Sequence, residues 1–206
     1  MIKNGVSTIS NMDKGFLYNL KSLTLDPQTL VNDYIKGKRK NILNPISFLI
    51  ICVSVYLIAD SFIDYSSCSE QENMEQIETK TIVVESGNMM HKYLKYLWIF
   101  SIIWLSVATK VFVGKYNFTE HLAINSFVLG FSTLLGCLII FFWPVLIFNP
   151  VLYLSIFWLL YRIHIEKNKK ADGILMSCGS IFFFIIILFI AMLSMGAIKV
   201  FVNSII

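Results

Sequence analysis

Charge is scarce in this chain. Only 15% of its 206 residues are Asp, Glu, Lys or Arg, against about 25% in ordinary soluble domains. That shortage excludes a disordered, solvating chain, which needs charge to stay open. Glycine and proline are also few, at 10 and 4, which excludes collagen-like and low-complexity sequence. The four cysteines (Cys52, Cys68, Cys137, Cys178) form no C-x-x-C pair, so neither a disulfide scaffold nor a zinc or iron–sulfur site is expected. His91, His121 and His164 are scattered over different segments. G-x-S-x-G, H-E-x-x-H, G-x-G-x-x-G and the P-loop are all missing, and with them the hydrolase, dinucleotide and nucleotide-triphosphate chemistries. The expectation is a chain that is not an enzyme, with no catalytic residues, no metal and no cofactor. A net charge of +4 gives no footprint for nucleic acid.

What is present is apolar. Hydrophobic residues make up 56% of the chain, including 17 Phe, and they come in long runs separated by charged segments. Runs long enough to cross a bilayer require helices, because only a helix or a closed barrel satisfies its own backbone in lipid. The fold class expected is all-α, a polytopic helical membrane protein. About five transmembrane helices are expected, near 46–63, 94–113, 119–142, 146–163 and 173–201. Residues 46–206 would form this domain, with an acidic outer loop at 64–92. Within that loop Thr79–Glu85 has the β-branched character of a short strand. Residues 1–15 hold no continuous apolar run, so the first span is expected to act as its own insertion signal.

Residues 1–45 read as a cytoplasmic N-terminal segment with two short amphipathic helices over 13–40. Phe16, Leu17, Leu20 and Leu23 recur at helical spacing, then Leu30, Val31, Tyr34 and Ile35. Between the stripes, Asp26 suits an N-cap and Pro27 a first helical residue, and Gly37 suits the C-terminal cap. Placing the N-terminus inside and alternating five spans puts 13 of the 17 basic residues on the inner side. The positive-inside rule then orients the chain in a bacterial inner membrane with its N-terminus cytoplasmic and its C-terminus outside.

Three stretches carry a family likeness: Asp13-Lys14-Gly15-Phe16-Leu17-Tyr18-Asn19; Tyr34-Ile35-Lys36-Gly37-Lys38-Arg39 with Pro45; and Lys115-Tyr116-Asn117 with Glu120. Over about residues 12–130 the chain resembles a bacterial, Bacteroidota-type family labelled domain of unknown function 3667. The resemblance implies a polytopic membrane protein and brings no activity with it. Many members of that family carry a Cys-x-x-Cys zinc ribbon ahead of the first stretch. The residues before Asp13 here hold no cysteine.

Two groups of polar residues stand out. Lys36, Lys38, Arg39 and Lys40 precede the first span, where clustered cations attract anionic lipid headgroups at about 1 kcal/mol per residue. A plain topology signal would use the same charges. Lys110, Glu120, His121 and Asn125 flank the short turn between the second and third spans and form a candidate polar cluster. At helix ends, though, such residues also snorkel or complement a helix dipole. Asp60 and Lys199 lie at similar outer depth and could pair. No ionisable residue falls at the middle of any span, which counts against a coupled transporter. The function expected is a non-enzymatic integral membrane protein that senses or docks at the cytoplasmic face, with the bilayer as its partner. The alternative is a homo-oligomeric pore or membrane-disrupting effector lined by Asn125, Ser126, Ser132 and Thr133. A lipid-modifying enzyme built on Lys110, Glu120 and His121 is a distant third, since no nucleophile is evident.

Overall fold

The computed structural model describes residues 2–62, 98–140, 149–165 and 170–205. Every element among them is a helix: α1 (Ile2–Leu25), α2 (Pro27–Ile35), α3 (Pro45–Ser61), α4 (Trp98–Phe112), α5 (Phe118–Leu138), α6 (Pro150–His164) and α7 (Lys170–Ile205). The acidic loop, its expected strand and Pro144 lie outside the described residues.

Three of the four prolines start helices. Pro27, Pro45 and Pro150 each occupy the first turn, where a missing N–H costs nothing. Each follows a residue whose side-chain oxygen accepts a freed backbone N–H: Asp26 from Thr29 at 3.3 Å, Asn44 from Ile46 at 3.0 Å and Asn149 from Val151 at 3.0 Å. Helix α5 starts on a reciprocal device, the Glu120 carboxylate accepting from the Asn117 backbone N–H at 2.8 Å. Gly37 closes α2 at φ +81°, the left-handed conformation that favours glycine.

The structure departs from the sequence reading in two respects. Helix α1 begins at Ile2 rather than near residue 13. Nothing between them breaks a helix, and extending one is far cheaper than nucleating it. Leu17 drops out of the expected stripe and is 62% exposed, while Leu23 is fully buried. Of the five expected spans, α5 and the Ala171–Ala191 stretch of α7 are long and apolar enough to cross a membrane among the described residues; α3 and the described part of α4 are apolar but shorter, and parts of the spans expected at 94–113 and 146–163 lie outside the described residues.

Helix α5 is the central post. It packs along α3 on one side and α6 on another, and α6 in turn packs on α7. Phe48 of α3 is held between Phe16 of α1 at 5.3 Å and Phe127 of α5 at 5.9 Å, centroid to centroid. Gly130 permits this closeness, because a Cβ there would meet the Phe48 ring at 3.0 Å. The N-terminal helices are part of the same core: Leu23, Leu30 and Val31 are buried with Ile124, Leu159 and Leu160. Two long-range bonds tie α1–α2 to the end of α6. Gln28 Nε2 donates to the Ile165 carbonyl at 3.1 Å and Arg162 donates to the Leu25 carbonyl at 2.8 Å.

Candidate functional site

The turn between α4 and α5 gathers the expected polar cluster. Thr109 and Lys110 end one helix, Val113 follows it, and Asn117, Glu120 and His121 begin the next, so a short turn brings them to one end of the bundle. Lys110 Nζ donates to the Tyr116 carbonyl at 2.6 Å. His121 Nε2 lies 2.9 Å from the Val113 carbonyl. A carbonyl only accepts, so Nε2 carries the proton and Nδ1 is left as an acceptor. That Nδ1 is buried without a partner among the described residues. One turn further in, Asn125 Nδ2 donates to Thr109 Oγ1 at 2.8 Å and to Ser106 Oγ at 3.3 Å. Each of the four residues therefore fastens the turn or the α4–α5 seam. Higher on that seam, Trp98 Nε1 donates to Thr133 Oγ1 at 3.1 Å.

The histidines are less scattered than the sequence reading has them. His121 and His164 both lie against the ring of Tyr116, at 5.9 and 6.2 Å between centroids. His164 Nδ1 bonds the Leu160 carbonyl at 2.8 Å, so by the same rule Nδ1 carries the proton and Nε2 is the lone-pair nitrogen. Nε2 is likewise buried and unpartnered among the described residues. His164 follows the apolar run expected at 146–163. Burial, with Lys115 and His121 nearby, pulls its pKa down to about 4, so the ring is neutral at pH 7. His91 lies outside the described residues. No group of three or more His, Cys, Asp or Glu able to hold a metal occurs among those described.

The basic residues form the loop between α2 and α3. Lys36, Lys38, Arg39 and Lys40 are all exposed. Lys38 reaches Asp33 at 3.4 Å, and the Arg39 guanidinium lies 5.0 Å over the Tyr34 ring. The loop is pinned from below. Asn19, fully buried in α1, donates from Nδ2 to the Leu43 carbonyl at 3.0 Å and accepts the Leu43 N–H on Oδ1 at 3.3 Å. Gly37 and Asn41 both take positive φ, at 81° and 67°. The sequence reading missed this clamp. Asn19 sits on the apolar side of an amphipathic helix, and that misplacement of a polar residue was the available signal.

Asp60 is buried in α3 with the Tyr56 hydroxyl hydrogen-bonded to its carboxyl. The side chain of Lys199, its expected partner, lies outside the described ones.

A family model described as a protein of unknown function (DUF3667) matches residues 13–57. The chain resembles that family from the second half of α1 through the basic loop and most of α3. The match includes Asn19 and Lys36–Lys40 and stops before the Lys115–Glu120 stretch, where a likeness was also expected. No curated protein and no solved structure matches the chain.

Proposed function

We propose that this chain is an integral membrane bundle of about five spans whose basic loop engages anionic lipid headgroups at the cytoplasmic face, in a sensing or docking role without chemistry of its own. One observation carries this reading: the loop is held in a fixed shape. A topology signal needs charge alone. Four exposed cations on a loop clamped by Asn19 and turned by two positive-φ residues suit a surface meant to be read. At about 1 kcal/mol each, they favour an anionic surface by about 4 kcal/mol. The outward side of α7 supports a lipid environment: Leu175, Phe182, Phe189 and Ile190 are all more than half exposed, which water would penalise. The excess of basic residues on one side supports an inner-membrane placement with the N-terminus inside.

The pore reading has less behind it. Asn125, Ser126, Ser132 and Thr133 are fully buried within a single chain, and Asn125 and Thr133 already bond to α4. The test compares the full chain with a variant carrying Lys36→Gln, Lys38→Gln, Arg39→Gln and Lys40→Gln, by native mass spectrometry with phosphatidylglycerol and phosphatidylcholine. The wild type should prefer phosphatidylglycerol and the variant should lose that preference. Equal lipid selectivity in the two proteins refutes the reading.

A further inference from the structure

A second site lies at the same end of the bundle as the α4–α5 turn. A cleft of about 210 Å³ opens there between Gln28 of α2, Tyr116 of the α4–α5 turn, His164 at the end of α6, and Asp172, Gly173 and Met176 at the start of α7. We propose that this cleft binds a neutral vicinal diol, the chemistry of a sugar ring, through hydroxyls that donate to His164 and Asp172.

Charge argues for a neutral ligand. Burial keeps the His164 ring uncharged at pH 7. Lys115, which also borders the cleft, is already engaged, with its ammonium 5.7 Å from the centroid of the Tyr116 ring. An anion therefore finds no spare cation among these described walls. Asp172 lies in the first turn of α7, at the positive end of the helix. The helix start already complements its carboxylate, so Asp172 has room for hydrogen-bond donors and little need of a counter-ion.

Hydrogen bonding argues for hydroxyls. With its Nδ1–H spent on the Leu160 carbonyl at 2.8 Å, His164 presents at Nε2 a buried acceptor with no partner among the described residues, a costly state that a donor relieves. Gln28 spends an N–H on the Ile165 carbonyl at 3.1 Å and keeps an acceptor oxygen. The first N–H groups of α7 are donors without partners inside the helix. An ammonium only donates and a phosphodiester only accepts, whereas a hydroxyl does both. Two hydroxyls on adjacent carbons suit acceptors on neighbouring segments, and α7 starts directly against the end of α6: a Cβ on Gly173 would stand 3.5 Å from Ile165 Cα and 3.9 Å from the His164 carbonyl oxygen. At about 30 Å³ per water, the cleft has the volume of about seven waters, which suits one sugar ring and falls below the roughly 300–1,000 Å³ of drug-sized sites. The membrane placement proposed above bears only on the source, a neutral glycolipid headgroup or a free sugar.

The experiment uses the full chain in a polyoxyethylene detergent, which carries no sugar. It is titrated by native mass spectrometry with monoglucosyl diacylglycerol and with diacylglycerol, and by calorimetry with methyl glucoside. Diacylglycerol brings one hydroxyl and the sugar a vicinal pair, so the glycolipid should bind about tenfold tighter, the ratio that one hydrogen bond supplies. His164→Phe and Asp172→Ala should each erase that ratio, and Asp172 is exposed, so its variant keeps the fold. Both lipids are uncharged, and the four-fold Gln variant of the basic loop should leave the ratio intact, which separates this site from that one. Binding of methyl glucoside that Asp172→Ala abolishes, without preference between the lipids, supports the site with a soluble source, even for a chain that proves not to reside in a membrane. Equal affinity for the two lipids with no such sugar binding, or a preference that survives either variant, overturns the proposal.

Discussion

Gly130→Ala should destabilise the bundle, although alanine is the better helix former. Position 130 lies inside α5 and faces α3, where an added Cβ would stand 3.0 Å from two atoms of the Phe48 ring and 3.3 Å from Leu49 Cα. Leu49 Cα is backbone and can give only if α3 moves. The Phe48 ring is fully buried and boxed by Phe16 and Phe127, so it cannot swing aside. Overpacking of this kind costs about 1–3 kcal/mol. Replacing a mid-helix glycine returns about 1 kcal/mol, which leaves a net loss of up to about 2 kcal/mol. For a chain of this size that lowers Tm by up to about 8 °C, measured by thermal unfolding in a fixed detergent. Gly179→Ala is the informative contrast. Its Cβ would come closer, 2.6 Å from the Phe112 ring, but Phe112 is 38% exposed and can rotate away, so this variant should cost less than Gly130→Ala. If Gly130→Ala raises Tm, or if Gly179→Ala proves the more damaging, the reasoning that a neighbour's freedom outranks raw distance is wrong.

Asn19→Leu should cost about 2–3 kcal/mol, because it leaves both backbone groups of Leu43 without partners; a Tm shift within error of zero would contradict the clamp. Asn125→Leu should cost only about 1 kcal/mol, since interhelical hydrogen bonds in a membrane setting are worth little, and a loss larger than that of Asn19→Leu would reverse the ranking. Acid should also weaken the fold through His164. Its pKa falls from 6.5 to about 4 on folding, so the unfolded chain takes up the proton first. The contribution is full above pH 6.5 and is lost as the pH drops towards 4, by at most about 3 kcal/mol. His164→Gln should therefore flatten the fall in Tm between pH 7 and 4.5, and identical profiles for wild type and variant would refute the assignment.

The parts of the fold legible in the sequence are those written locally. Asp26-Pro27, Asn44-Pro45 and Asn149-Pro150 mark helix starts because a capping oxygen followed by a residue without an N–H has few other uses. Gly37 marks a helix end for an equally local reason. Glu120 was legible at the start of α5, where it satisfies a backbone donor. The cleft was not, because nothing near His164 in the chain announces that Tyr116 and Gln28 will be its neighbours. Such neighbours follow from how α2, α5 and α6 pack, and packing partners are chosen by shape over long separations. The same holds for α1 and α2. Their apolar stripes suited a membrane surface as well as a protein core, and periodicity alone does not distinguish the two.

The bonds from Gln28 to Ile165 and from Arg162 to Leu25 each join residues 137 positions apart. They give the molecule an order of assembly. A ribosome adds about 5–20 residues per second, so α1 and α2 must wait on the order of ten seconds for the helix that receives them. Through that interval Leu23, Leu30 and Val31 have no α6 to cover them. Helices α1 and α2 are thus made well before the helix that ties them down, and any chain cut short before α6 leaves Leu30 and Val31 without that cover, an apolar handle by which quality control can tell an unfinished copy from a finished one.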